Sequence, residues 1–394
     1  MLHLSALLIG ASACVLAATW VVYPAWLLVR SHARPGPRRH DAHVRWPSVT
    51  IVVVVRNAEP WLRELLRNLV ALAYPPELRR ILVVSNASTD FTDAVATSLP
   101  PSGIEVLRVL RPRRSVAAAE NLARRHVRSD LVVVAHPAAR LRPSALAALV
   151  APFADPTVGV AYGREVPVDP ATGRALRREP PYRRFERWMR DAETRVFGTV
   201  SARRTLYAVR AELYRDPVAA TLSPDFAPIL AARERGFRAV YVDDAECAMG
   251  ESRSLRTAYA RTVRTATRDM ATLLVKPQLL DPFRYGAFAA ILLGHKLGRW
   301  LSSWAVLAIL AGLVLLAPER PWASAALSLL LLPSLVATLA WLAPGRAARA
   351  ARPPLPVRLA TSPVAIAHAC VNAVRTAPEP RLVPATPSFA RVRL

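Results

Sequence analysis

Residues 48–55 read SVTIVVVV, an unbroken β-branched run after its opening serine. Branching at Cβ stiffens the side chain and favours a pleated strand. A strand with one wet face alternates apolar and polar residues. This one does not, so it is expected to be buried on both faces, as in a parallel sheet flanked by helices. Residues 60–72, PWLRELLRNLVAL, follow with helical periodicity. The alternation then repeats: RILVVS (80–85) and TDAVATSL (92–99), IEVLRVL (104–110) and SVAAAENLARRHV (115–127), then DLVVVA (130–135). Strands alternating with short helices predict an α/β fold with a doubly wound, mostly parallel sheet. Such sheets bind ligands beyond the carboxyl ends of their strands. A helix over 144–153, strands at GVAYGREV (159–166), TLYAVR (205–210) and FRAVYV (237–242), a charged amphipathic helix over 182–197 and a basic helix over 257–274 continue the domain.

Outward from this domain the chain turns apolar. Leu4 to Val29 carries no charge and is long enough to cross about 30 Å of hydrocarbon. It is too long for a signal-peptide core, and no basic residue precedes it. Trp20, Tyr23 and Trp26 near its end suit a membrane interface, and Arg30, Arg34, Arg38, Arg39 and Arg45 follow. The positive-inside rule then places the N-terminus outside and the α/β domain in the cytoplasm. After the domain, Trp300 to Ala317 and Trp322 to Ala343 flank the turn PERP and read as a transmembrane hairpin. His295, Lys296 and Arg299 fall at its near edge, and Arg346, Arg349, Arg352 and Arg358 lie beyond its far end. Pro363 to Val374 is shorter and reads as a re-entrant or interfacial helix. The expected organisation is a membrane helix (1–30), a basic linker (31–46), a cytoplasmic domain (47–285), an interfacial helix with the hairpin (286–344), and a basic loop with a weak apolar segment and tail (345–394). The expected location is a bacterial inner or cell membrane.

The net charge of +25 comes almost wholly from arginine, with Lys276 and Lys296 the only lysines. In a chain with spanning segments this suits anionic lipid at the cytoplasmic face, or an anionic substrate. No compact basic helix with aromatic stacking platforms stands out, so nucleic acid is not expected as a partner. Cys14, Cys247 and Cys370 have no metal-ligand spacing and no disulfide pattern. The spanning segments hold no acid of the kind that transport sites need.

The stretches 47–92, PSVTIVVVVRNAEPWLRELLRNLVALAYPPELRRILVVSNASTDFT, and 130–164, DLVVVAHPAARLRPSALAALVAPFADPTVGVAYGR, resemble the membrane-bound family 2 glycosyltransferases, which include cellulose and hyaluronan synthases. TLYAVRAELY, SPDF and ERGFRAVYV continue the resemblance, which runs from about Pro47 to about Trp300. It implies a glycosyltransferase-A-like fold, a nucleotide-sugar donor such as a UDP-sugar, and an acceptor glycan or lipid.

The resemblance also implies roles. Asn57, Ser85, Asn86, Asn121 and Arg203 occupy nucleotide-binding positions. The acidic pair that holds the base corresponds to Ser85 and Asn86. Asn86 can accept a hydrogen bond without charge assistance, and SNAST is equally good turn chemistry. The family's metal-binding Asp-x-Asp corresponds to 136–138, His-Pro-Ala, which lacks both acids. Mg²⁺ or Mn²⁺ is therefore disfavoured, and His136 is a weak candidate ligand. Asp225 of SPDF stands where the family keeps its general base, or serves as a helix N-terminal acid. Arg261, Arg264 and Arg268 share one helical face, suited to a diphosphate or to lipid. Two functions follow: a glycosyltransferase in which arginine replaces the cation, or a catalytically silent relative that partners an active synthase.

Overall fold

The computed structural model describes residues 2–33, 46–98, 104–109, 116–168, 179–201, 203–215, 222–250, 255–342 and 355–376. Residues 34–45 of the basic linker, and Arg346, Arg349 and Arg352, lie outside them, while the first helical run continues to His32, past the expected boundary at 30. Eight strands in these residues form one sheet: β1 (Val49–Val55), β2 (Arg79–Asn86), β3 (Ile104–Val109), β4 (Leu131–Ala135), β5 (Ala139–Leu141), β6 (Val158–Val168), β7 (Leu206–Arg210) and β8 (Arg238–Gly250). The order is β3-β2-β1-β4-β7-β6-β8-β5.

The β-branched run is β1, at the middle of the parallel half. Val49, Ile51, Val53 and Val55 enter one core while Val52 enters the other, and all five are at most 2% exposed. Both faces are covered, as the missing alternation predicts. Leu62, Leu65, Leu66 and Leu69 of the helix Glu59–Val70 close the first face at i, i+3, i+4, i+7 spacing.

Beyond β4 the sheet is mixed, with β6 paired parallel to β8. There β7 pairs antiparallel with both β4 and β6, and β5 pairs antiparallel with β8. The short run LYAVR (206–210) carries no mark of direction, because both strand types share a period of two. The order does place a switch point between β1 and β4, where the chain leaves in one direction to β2 and returns on the other side. The carboxyl ends of β1, β2 and β4 surround it.

Two helical runs are long and apolar enough to cross a membrane, His3–His32 and Ala287–Leu316. They pack antiparallel: a Cβ on Gly294 or Gly298 would lie 2.3 Å from the Tyr23 ring or 2.7 Å from the Thr19 hydroxyl, and one on Gly312 would meet Ile9. Small residues four apart let two backbones approach closely. Gly294→Ala is expected to displace the Tyr23 ring and cost about 1–3 kcal/mol, read as a lower melting temperature.

A π-helical turn interrupts each run, at Ala18–Val22 and Leu292–Leu297. His295, Lys296 and Arg299 therefore do not edge an apolar helix that begins at Trp300. They lie inside one helical run from Ala287 and meet acids of the α/β domain and its basic helix. The expected second span falls on the helix Pro321–Leu342, whose apolar part Pro321–Pro333 is shorter than a membrane crossing. The weak apolar segment belongs to a longer helix, Leu355–Thr376, whose Ala365, Ala369 and Ala373 pack on Val263, Ala266 and Met270 of the basic helix Leu255–Val275.

Candidate active site

Two loops begin at the carboxyl ends of β1 and β2, and both hold a residue in the left-handed region: Asn57 at φ 49° and Ala87 at φ 51°. An alanine there costs about 1–2 kcal/mol, so the loops are held by other bonds. The Asn57 side chain accepts from the Thr89 N–H at 2.9 Å, and its own N–H donates to Ser88 Oγ at 3.2 Å. Ser85 is 1% exposed and donates to Ser88 Oγ at 3.0 Å. Asn86 is also buried. Asn57 thus joins one loop to the other, and Ser85 supports the Ser88 that it meets. Asp90 accepts from the Thr92 N–H and hydroxyl and from the Glu59 N–H, so it supports the loop pair rather than only capping a helix.

At the end of β4 the His136 N–H donates to the Thr205 carbonyl at 2.8 Å. Its Nδ1 accepts from the Ala138 N–H at 3.1 Å, so the neutral ring carries its proton on Nε2. Desolvation holds its pKa below the usual value; Glu165 opposes this and Arg261 of the basic helix reinforces it. Of the arginines on that helix, Arg261 therefore lies near the β4 end. Arg261 and Arg264 are exposed, and Arg268 is half-buried.

The segment 203–205, just before β7, gathers the rest. Arg203 pairs with Glu165 of β6 at 2.9 Å, and Thr205 donates to the same carboxylate at 2.6 Å. Burial pushes the Glu165 carboxyl up, but Arg203, Thr205, Arg183 and Arg190 together hold it below its ordinary range. Arg204 pairs with Glu120, a residue 2% exposed that also accepts from the Tyr207 hydroxyl at 3.1 Å. The backbone N–H of Arg204 donates to the Asp225 carboxylate. Three consecutive residues thus touch His136, Glu165, Glu120 and Asp225. Asn121, beside Glu120, accepts from Arg124 Nε at 2.7 Å.

Asp225 is partly exposed, in the loop before the helix Ala227–Glu234. Tyr162 of β6 donates to its carbonyl at 2.8 Å. Its carboxyl is pushed up to about 6, chiefly by desolvation and then by Asp269, against Arg204 and Lys296. A carboxylate at that value is a proton acceptor suited to neutral pH.

A hard divalent cation does not fit the β4 end. Ala138 has no donor atom, His136 Nδ1 is occupied, and both Glu165 oxygens face Arg203 or Thr205. Among the described residues no three His, Cys, Asp or Glu side chains are arranged to hold a metal. Glu120, Glu165, Arg204 and Asp269 escape the sequence reading, which places Lys296 only at the rim of an apolar run. Their partners lie far off in the chain, and no local spacing marks them.

Residues 47–276 match the profile of the family described as glycosyltransferase-like family 2. Among solved structures, a mannosyltransferase from Pyrobaculum calidifontis, in complex with GDP-Man and Mn²⁺, is 23% identical at a TM-score of 0.69. The alignment covers 93% of this chain and 99% of that one, so the likeness in fold includes the flanking helices. TarS 1–349 of S. aureus is 15% identical over 67% of this chain and 80% of its own, with a TM-score of 0.40. Glucosyl-3-phosphoglycerate synthase of Mycobacterium tuberculosis is 17% identical over 61% and 86%, with a TM-score of 0.39. No curated protein matches the sequence. The profile spans more than half of the chain and covers both strand-end loops, the 203–205 segment and Asp225: the chain belongs to glycosyltransferase-like family 2.

Proposed function

We propose that this protein is a membrane-embedded glycosyltransferase that moves a sugar from a nucleoside-diphosphate donor to a hydroxyl of a glycan or lipid acceptor, with arginines in place of a divalent cation. The observation that carries it is the Asp225 carboxylate, held near pH 6 beside Arg204, one residue from the arginine and threonine at the β4 end.

The reaction is a single displacement. Asp225 takes the proton of the acceptor hydroxyl as that oxygen bonds to the anomeric carbon. The bond from that carbon to the diphosphate oxygen breaks, and the nucleoside diphosphate leaves with the electron pair. Attack opposite the leaving group inverts the anomeric centre. The loops after β1 and β2, with Asn57, Ser85 and Asn86, form the floor for the nucleoside. Asn121, behind them, positions Arg124. Arg203 and Arg261 face the β4 end and balance charge on the leaving diphosphate, helped by Arg264.

The membrane frame supports the same reading. The antiparallel packing of His3–His32 and Ala287–Leu316 puts both domain junctions at one end, consistent with a cytoplasmic domain and the positive-inside assignment. The helix Leu355–Thr376, packed on the basic helix, fits an interfacial position in contact with anionic lipid.

The test is turnover of a panel of nucleotide sugars by detergent-purified protein, with Mn²⁺, Mg²⁺ or EDTA. Turnover unaffected by EDTA is expected. Arg203→Ala and Arg261→Ala should each weaken nucleoside-diphosphate binding roughly tenfold by calorimetry, the scale of one charge-assisted hydrogen bond. Failure of every donor to bind or react would support the second reading, a silent relative that serves an active synthase. The absent acids at 136 and 138 favour that alternative.

A further inference from the structure

A second acid, from another element, acts electrostatically on Asp225. Asp269 of the basic helix is 6% exposed. Its Oδ2 binds Lys296 Nζ at 2.6 Å, while its Oδ1 is buried with no partner. Lys296 comes from the π-helical turn of the Ala287–Leu316 run, and its ammonium lies 4.7 Å from the centre of the Phe226 ring, adjacent to Asp225. The same loop is tied to the basic helix a second time: the Ser223 N–H donates to Thr272 Oγ1 at 2.8 Å. Base, second acid and ammonium thus come from three elements that meet where the soluble domain joins a helix of spanning length.

We propose that Asp269 and Lys296 are positioning residues that couple the proton-accepting power of Asp225 to the seating of the Ala287–Leu316 helix against the soluble domain. The inference rests on Asp225 being the base of the proposed transfer. A negative neighbour raises the proton affinity of a carboxylate and a positive one lowers it. Asp269 acts in the first sense and Lys296 in the second. The other groups that face Asp225 are Arg204, ahead of β7, and the hydroxyls of Tyr162 on β6 and Tyr207 on β7. When the helix lifts away, Lys296 leaves, the Asp269 charge stands uncompensated, and Asp225 holds its proton to higher pH. At neutral pH the base is then less available, so the transfer responds to the state of the membrane helix.

Two readouts test this in the full-length protein. One is the acidic limb of the transfer rate. The other is the pH dependence of Asp225 modification by a carbodiimide, which reacts with the protonated carboxyl and needs no turnover; mass spectrometry locates the product. Asp269→Asn is expected to move the Asp225 midpoint down by about one pH unit, and Lys296→Gln to move it up by about as much. Lys296→Arg keeps the charge and should restore the wild-type profile, which a packing role alone would not require. Shifts of the same sign, or none in either variant at unchanged melting temperature, overturn the proposal. If Asp225→Asn and the wild type are equally inert, the enzymatic reading falls, while the carbodiimide midpoints still decide the coupling.

Discussion

Asp225→Asn is expected to reduce glycosyl transfer by about 10²–10⁴-fold, the range attributed to a positioned general base. Nucleoside-diphosphate binding should remain, because the loops after β1 and β2 and the arginines at the β4 end stay in place. The amide has the shape of the carboxylate and can still accept from the Arg204 N–H. It cannot take a proton at any pH of interest. The wild-type pH profile supplies an independent check. The base works only when ionised, and its carboxyl sits at about 6, so the rate should fall tenfold per pH unit below that value and level off above it. A carboxylate near its ordinary range would keep the rate flat down to about pH 4. Calorimetry with a nucleoside diphosphate, beside a coupled assay of its release, separates lost chemistry from lost binding.

The second large effect is on stability. Glu193 of the charged helix Pro181–Val196 is fully buried. Tyr23 of the first helix donates to its Oε1 at 2.6 Å, Thr199 donates to its Oε2 at 2.9 Å, and His295 bonds to it from the Ala287–Leu316 run. Two helical turns away, Glu186 pairs with Arg299 and Arg190. A single carboxylate thereby joins both long apolar runs to the soluble domain. Glu193→Ala removes the acceptor and leaves three polar groups buried without it. Losing one partner from such a site costs about 3–5 kcal/mol. The expected result is a melting temperature lower by on the order of 10 °C in a detergent thermal-shift assay. Glu193→Gln should cost much less. Its carbonyl oxygen still serves Tyr23, and its amide can donate to Thr199 Oγ1.

The fold was legible wherever local pattern decides it. The run 49–55 announced a doubly covered strand, and the leucines after it announced the helix on one of its faces. The arginine helix could be drawn with its face, because helical spacing is local. The direction of β7 could not, since five residues of period two look alike in either sense. The site was legible only in part. Asp225 stood out through its motif, and the loss of acids at 136 and 138 was visible at once. The choice of Arg203 over Arg204 was not decidable from SARRTLYAV, because which side chain faces the base depends on the register of β7. Glu120 and Arg204, Glu165 and Arg203, and Asp269 and Lys296 are paired across long separations, and no periodicity connects them. His295, Lys296 and Arg299 looked like the rim of a spanning helix. Their partners belong to other elements, so only three-dimensional packing reveals why cations enter an apolar run.

The pairing of the first apolar run with the one after the domain sets an order of events during synthesis. Trp20 Nε1 donates to Ser302 Oγ, 282 residues later in the chain. At about 5–20 residues per second the ribosome needs on the order of 15–60 s to supply that partner. Until then Tyr23 lacks His295 beside its carboxylate, and the surface of the first helix that Gly294 and Gly298 will cover stays open. The α/β domain therefore has time to fold while the first helix is still unmated. The junction around Glu193 closes only when the later helix arrives, which makes that helix the one that completes the junction.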